Sequence, residues 1–300
     1  MACPSGVVLF VSMPVPLFIS FVLLAQFCRF CLCGIISNEV NEMQIQKVDD
    51  YHEMSVVGAE IIYEALATAM RAGRHFNLGL ATGNTMIELY RILAERINRD
   101  CLDLSGLETW NLDEYAIDEG RAVSHEHPLS YWRYMHEKFF DLLSPDCKFS
   151  ESQAHFPDPA NPSGFDAALA LSGGLDLQLL GIGFNGHIAF NEPECESSIS
   201  VEDFAALPTR VLPLTDETIL QNTKVTADGD SSLVPRFAAT MGMAQIMAAR
   251  RELLLACFAE QEEPLRRMIA GGRATPELPA SYLLSHRDFT LIYTGDKITL

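Results

Sequence analysis

Apolar residues recur at helical spacing from Glu53 to Ala72 (Val56, Val57, Ile61, Ile62, Leu66), and Gly73 is placed to close that helix. Phe76 to Ala81 is then a short apolar run of strand length, Thr82-Gly83-Asn84-Thr85 a tight turn of small residues, and a second helical pattern continues to about Ile97. The alternation repeats. Leu107 to Leu112 reads as a strand running into Asp113-Glu114-Tyr115, with a helix from about Pro128 to Leu143. Leu175 to Ile182 is almost continuously apolar, as expected of a strand buried on both faces. Helix over Pro235–Ala249, strand over Glu252–Phe258, helix over Glu263–Ala270 and strand over Phe289–Tyr293 complete the pattern. Strands alternating with helices predict an α/β fold: a Rossmann-like, mostly parallel sheet with helices on both faces. In such sheets ligands bind beyond the carboxyl ends of the strands, where the unusual loops of this chain fall.

Composition is that of a globular protein, 48% hydrophobic and 20% charged, with a formal charge of −19. That balance argues against a nucleic-acid partner, which needs clustered Lys and Arg. A small anionic substrate stays compatible with it, because salt screens a distant field within about 10 Å. The eight cysteines are scattered, with no repeated CxxC pair, and read as reduced thiols of a cytoplasmic protein. Residues 1–42 form a separate hydrophobic extension. Val7 to Cys28 carries no charge, but Pro14 and Pro16 interrupt it and no Lys or Arg precedes it. The reading adopted is a start assigned too far upstream, with Met43 as the working start and residues 43–300 as the catalytic domain; a membrane anchor is the alternative. The polar stretch Asp216 to Leu233 is expected to form a small mobile lid.

Three loops carry candidate chemistry. At Ala81–Thr85, Gly83 admits close backbone approach and the following helix start offers N–H groups to an anion, although an ordinary βα turn has the same composition. Asn111-Leu112-Asp113-Glu114-Tyr115 places adjacent carboxylates at a strand end, so that one can face a site as general base while the other supports the loop; a helix cap or solvated turn is the bland alternative. Gly181 to Pro193 sets His187 among Gly181, Gly183 and Gly186, with Glu192 five residues on, which suits a histidine held in one tautomer by a carboxylate. His125 and His127 have the spacing of a metal pair, but Pro128 follows at once and no third ligand is evident, so no metal is expected. Met241, Met243 and Met247 are expected in the core.

Asn111–Tyr115, Glu126-His127-Pro128, Ser130-Tyr131, the run Gly186-His187-Ile188-Ala189-Phe190-Asn191-Glu192-Pro193, Thr209-Arg210 and Val234–Ala238 resemble the glucosamine-6-phosphate deaminase family. The resemblance covers about residues 43–300. Related 6-phosphogluconolactonases share the Gly-His-x-Ala core but not the Phe-Asn-Glu-Pro ending.

The resemblance implies conversion of glucosamine 6-phosphate and water to fructose 6-phosphate and ammonia, with no metal or organic cofactor. It implies that His187 opens the sugar ring, that Asn185 and Glu192 orient and tune it, and that Asp113 moves a proton from C2 to C1. Gly83, Asn84 and Thr85 would hold the phosphate, with Lys224 and Arg236 as cations. Those two are exchanged relative to the best-known bacterial members, and Asn185 stands where many carry Asp; Lys and Arg are not equivalent at a bidentate site. Ending at Leu300 and keeping only Arg210 of a basic cluster, the chain is expected to be a non-allosteric monomer or homodimer. Rival readings are a galactosamine 6-phosphate enzyme, a 6-phosphogluconolactone hydrolase, and a non-catalytic sugar-phosphate sensor.

Overall fold

The computed structural model describes residues 44–300; the hydrophobic extension, with its alternative readings, lies outside the described residues. In chain order the strands are β1 (Gln44–Val48), β2 (Phe76–Leu80), β3 (Leu107–Asn111), β4 (Asp113–Asp118), β5 (Arg121–Ala122), β6 (Ala154–His155), β7 (Leu177–Gly181), β8 (Arg210–Pro213), β9 (Phe237–Thr240), β10 (Glu252–Ala256) and β11 (Phe289–Thr294). The helices are α1 (Tyr51–Arg71), α2 (Ile87–Arg99), α3 (Tyr131–Lys138), α4 (Pro162–Leu171), α5 (Val201–Ala205), α6 (Asp216–Val225), α7 (Met243–Met247) and α8 (Glu262–Gly271), joined in places by 3₁₀ turns.

A seven-stranded sheet has the order β1-β11-β10-β7-β2-β3-β6, and every neighbouring pair is parallel. Its central strands are built from the apolar runs seen in the sequence: Leu78, Leu80, Leu179, Leu180, Leu253, Leu254, Leu291 and Ile292 are all fully buried. From β2 the chain moves outward through β3 to β6, then returns to the other side of β2 to build β7, β10 and β11. The order reverses between β2 and β7, so the loops after those two strands diverge and leave a crevice at their carboxyl ends.

A second sheet is antiparallel, with the order β5-β4-β9-β8. Leu112 is the single residue between the sheets: its N–H donates to Leu80 O (3.0 Å), and its carbonyl accepts from Met241 N (2.7 Å). A small core of Tyr115, Val123, Phe190, Leu214, Ile219, Ala227, Val234 and Ala238 belongs to this layer.

One expectation fails here. Pro235–Ala249 is not one helix: Phe237–Thr240 is the inner strand β9, hydrogen-bonded to both β4 and β8, and only Met243–Met247 is helical. Gly242 ends the strand against the chain at Leu207, where a Cβ would fall 2.0 Å from a carbonyl oxygen. Tertiary pairing has overridden local propensity. Met241 and Met243 are buried and Met247 partly so. The stretch Asp216–Leu233, expected as a lid, carries helix α6, which is capped by Thr215 and buries Thr218, Ile219 and Thr223. Its polar composition belongs to a helix with one narrow apolar face. Among the described residues no helix is long and apolar enough to cross a membrane, and the described cysteines, Cys101, Cys147, Cys195 and Cys257, are free thiols.

Candidate active site

The crevice is a cleft of about 320 Å³ lined by the loops after β2, β3, β7 and β10 and by α6. On the β2 side, Gly83 takes φ +117°, a conformation that glycine adopts without strain, and a 3₁₀ turn over Asn84–Met86 leads into α2. Tyr134 Oη donates to Gly83 O (2.7 Å) and Tyr51 Oη to Asn84 O (3.1 Å). Neither tyrosine lines the cleft, so these carbonyls are tied back. Across planar peptides the N–H groups of Asn84 and Thr85 then point the opposite way, as an anion cradle requires.

Asp113 and Glu114 open β4, and strand alternation sends them to opposite faces. Glu114 accepts from the N–H groups of Tyr115 (2.8 Å), Tyr131 (2.9 Å) and Trp132 (2.9 Å) and from Ser130 Oγ (3.0 Å). It satisfies the start of α3 and is the supporting carboxylate. Asp113 lines the cleft. Burial dominates its electrostatics and lifts its pKa from 3.8 to about 7, although a hydrogen bond from Thr240, the nearby His187 and the backbone at Phe190 pull it down. A buried carboxyl that is half ionised near neutrality suits a group that takes and returns a proton.

On the β7 side the loop from Ile182 to Glu192 is shaped around His187. A Cβ at Gly183 would lie 2.2 Å from His187 Nε2, so only glycine leaves room for the ring. Gly186 (φ +89°) and Ala189 (φ +54°) both take left-handed backbone conformations; the latter is uncommon for a residue with a side chain and here lines the cleft. His187 Nδ1 lies 3.4 Å from Glu192 Oε2 and makes no closer hydrogen bond. Asn185 braces the pair, donating from Nδ2 to Glu192 Oε2 (2.8 Å) and accepting the His187 N–H (3.1 Å). Burial alone would raise the Glu192 pKa, but His187 and donors from Thr218 and Asn185 outweigh it and hold it at about 2. Glu192 is therefore a fixed negative charge behind the imidazole.

Asp113, His187, Gly83, Asn84 and Thr85 thus meet in one cleft, with Asn185 and Glu192 directly behind. Lys224 and Arg236 do not line it. Both are exposed, although Gln221, Asn222, Val225 and Thr226 beside Lys224 form the cleft wall. Long cationic side chains keep their charge hydrated when no buried partner holds them. His125 lies flat on Trp132 (ring centroids 4.0 Å), and His127 Nδ1 accepts from Leu129 N (3.1 Å), so both rings serve the local packing.

Residues 49–197 match the family model for glucosamine-6-phosphate isomerases/6-phosphogluconolactonase. A glucosamine-6-phosphate deaminase of Rhodopirellula baltica is 36% identical over 259 residues, which are 84% of this chain and 94% of that one. The chain belongs to the glucosamine-6-phosphate isomerase/6-phosphogluconolactonase family. Glucosamine-6-phosphate deaminase 2 of Bacillus subtilis is 35% identical over 83% of this chain and 94% of its own. Among solved structures of the family, a monomeric glucosamine-6-phosphate deaminase superposes with a TM-score of 0.72 at 30% identity, over 85% of this chain and 98% of that one. A 6-phosphogluconolactonase of Thermotoga maritima, at 16% identity and TM-score 0.62 over 84% of this chain and 100% of its own, shares the fold.

Some residues of this family member's cleft escaped sequence reasoning: Gln221, Asn222 and Gln261 line it, and Thr218 and Thr240 hydrogen-bond to Glu192 and Asp113. Polar residues scattered over separate segments carry no shared local pattern. Tyr131, which also lines the cleft, belongs to the Ser130-Tyr131 pair that carries the resemblance, but no role for it followed from the sequence.

Proposed function

We propose that this chain converts glucosamine 6-phosphate and water to fructose 6-phosphate and ammonia. His187, held by Glu192 and Asn185, moves the proton that opens the pyranose ring. Asp113 then removes the C2 proton, giving an enolamine, and returns it to C1, giving the C2 imine of fructose 6-phosphate. Water adds to that imine and ammonia leaves. The phosphate rests on the N–H groups of Gly83, Asn84 and Thr85. Lys224 and Arg236 approach it as α6, the lid, settles over bound sugar. The enzyme acts in the cytoplasm as a monomer or homodimer.

The observation that carries this reading is the presence of two separate acid/base centres in one cleft, a buried carboxyl poised near pH 7 and a histidine backed by a fixed carboxylate. Lactone hydrolysis has no use for a carboxyl that shuttles a proton between carbons. The test follows ammonia and fructose 6-phosphate together when the full chain meets glucosamine 6-phosphate. Equal yields of both, lost in Asp113→Asn, are expected. No product from a folded protein, or turnover of galactosamine 6-phosphate or 6-phosphogluconolactone in its place, refutes the assignment.

A further inference from the structure

We propose that Thr240 is the positioning residue for the base: its hydroxyl engages Oδ1 of Asp113 and leaves Oδ2 as the oxygen that moves the proton. The proposal rests on the reading of Asp113 as the proton carrier. Asp113 and Thr240 are paired directly across the antiparallel strands β4 and β9, so their side chains leave the same face. Thr240 is wholly buried, and its hydroxyl has two neighbours. The Phe190 N–H, which can only donate, reaches Thr240 Oγ1 at 3.0 Å. That leaves the hydroxyl proton for Asp113 Oδ1, with which Thr240 makes the one side-chain hydrogen bond that Asp113 has among the described residues.

This arrangement has two consequences. A carboxylate free to rotate about its terminal bond presents either oxygen in a range of directions; one locked at Oδ1 presents a single lone-pair set to C2 and C1 in turn. The same hydroxyl also ties the base to the histidine loop, because Phe190 follows Ala189, the residue held at positive φ three positions before Glu192. One side chain thus sets the spacing between the proton carrier and the ring-opening loop.

The test compares Thr240→Val, which keeps the shape, Thr240→Ala, which removes the hydroxyl without adding bulk, and Thr240→Ser, which restores it. For each, kcat and KM for glucosamine 6-phosphate are measured from pH 5 to 9. Losing a hydrogen bond to an ionised group should lower kcat about 10- to 100-fold with KM little changed. It should also move the acidic limb of the profile upward by about one to two pH units, because the carboxylate has lost a donor. Thr240→Ser should recover both. An unmoved acidic limb in a folded Val or Ala variant, a loss confined to KM, or failure of Ser to rescue overturns the proposal. If the unmodified chain makes no fructose 6-phosphate, the substrate reading fails first and this inference with it.

Discussion

Replacing Asp113 by Asn should abolish turnover and, at alkaline pH, make the protein more stable. Burial raises the carboxyl from 3.8 to about 7 in the folded protein. Below pH 3.8 the group is protonated in both the folded and unfolded states and contributes nothing. Between the two values the folded protein keeps a proton that the unfolded chain has released, so stability falls as pH rises. Above pH 7 the penalty is complete: a little over three pH units at about 1.4 kcal/mol each, or about 4 kcal/mol. Asn never ionises and escapes it, while its side-chain carbonyl can still accept from Thr240. For a protein of this size that difference corresponds to a melting temperature on the order of 10 °C higher for Asp113→Asn at pH 8.5. At pH 5 the gap should shrink to less than half. Paired thermal melts from pH 5 to 8.5 isolate the effect, since every other ionisable group is common to both proteins. Turnover should fall by about 10²–10⁴-fold or more over the same range. Equal melting temperatures at pH 8.5, or a gap that does not depend on pH, would show that Asp113 is not held as a strained buried charge.

Gly183→Ala puts a methyl group where the His187 ring lies; kcat/KM should fall about 100-fold while the melting temperature changes little, and full activity would refute the packing argument. Glu114→Ala strips the acceptor from the start of α3 and leaves buried N–H groups unpaired; urea unfolding should report a loss of roughly 3 kcal/mol, with Glu114→Gln intermediate. Lys224→Ala and Arg236→Ala should each raise KM for glucosamine 6-phosphate with kcat nearly unchanged if these exposed cations swing onto the bound phosphate; unchanged KM in both would remove them from the site.

The parallel sheet was legible because most of its central strands are short, largely apolar runs, and glycine and small polar residues follow β2 and β7. Gly83, His187 and the Asp113-Glu114 pair stood out for the same reason: they sit in short local patterns at strand ends, which topology turns into a shared crevice. The family resemblance singled out Asp113 of the pair. The antiparallel layer was not legible. Its inner strand β9 has residues that also suit a helix, and what makes it a strand is hydrogen bonding to β4 and β8, far away in the chain. The helix within the lid segment went unseen for a related reason, since a helix that buries only Thr218, Ile219 and Thr223 reads as a polar stretch by composition.

Taken alone, the amino-acid order determined most of the central strands and flanking helices of the main sheet, where the crevice opens, and that a pair of carboxylates, a histidine and glycines stand at its rim. All of these depend on periodicity and backbone freedom within a few residues of each position. The edge strands β1 and β6 and helix α4 it did not reveal. Tertiary structure decided the rest. It chose Asp113 over Glu114 as the cleft carboxyl by strand alternation, and brought Thr240 to Asp113 across 127 residues of chain. It raised one carboxyl to about 7 and held another at about 2. It also left Lys224 and Arg236 in solvent. A pKa and a hydrogen-bond partner are set by whatever long-range pairing buries beside a group, and that surrounding is not written in the residues next to it.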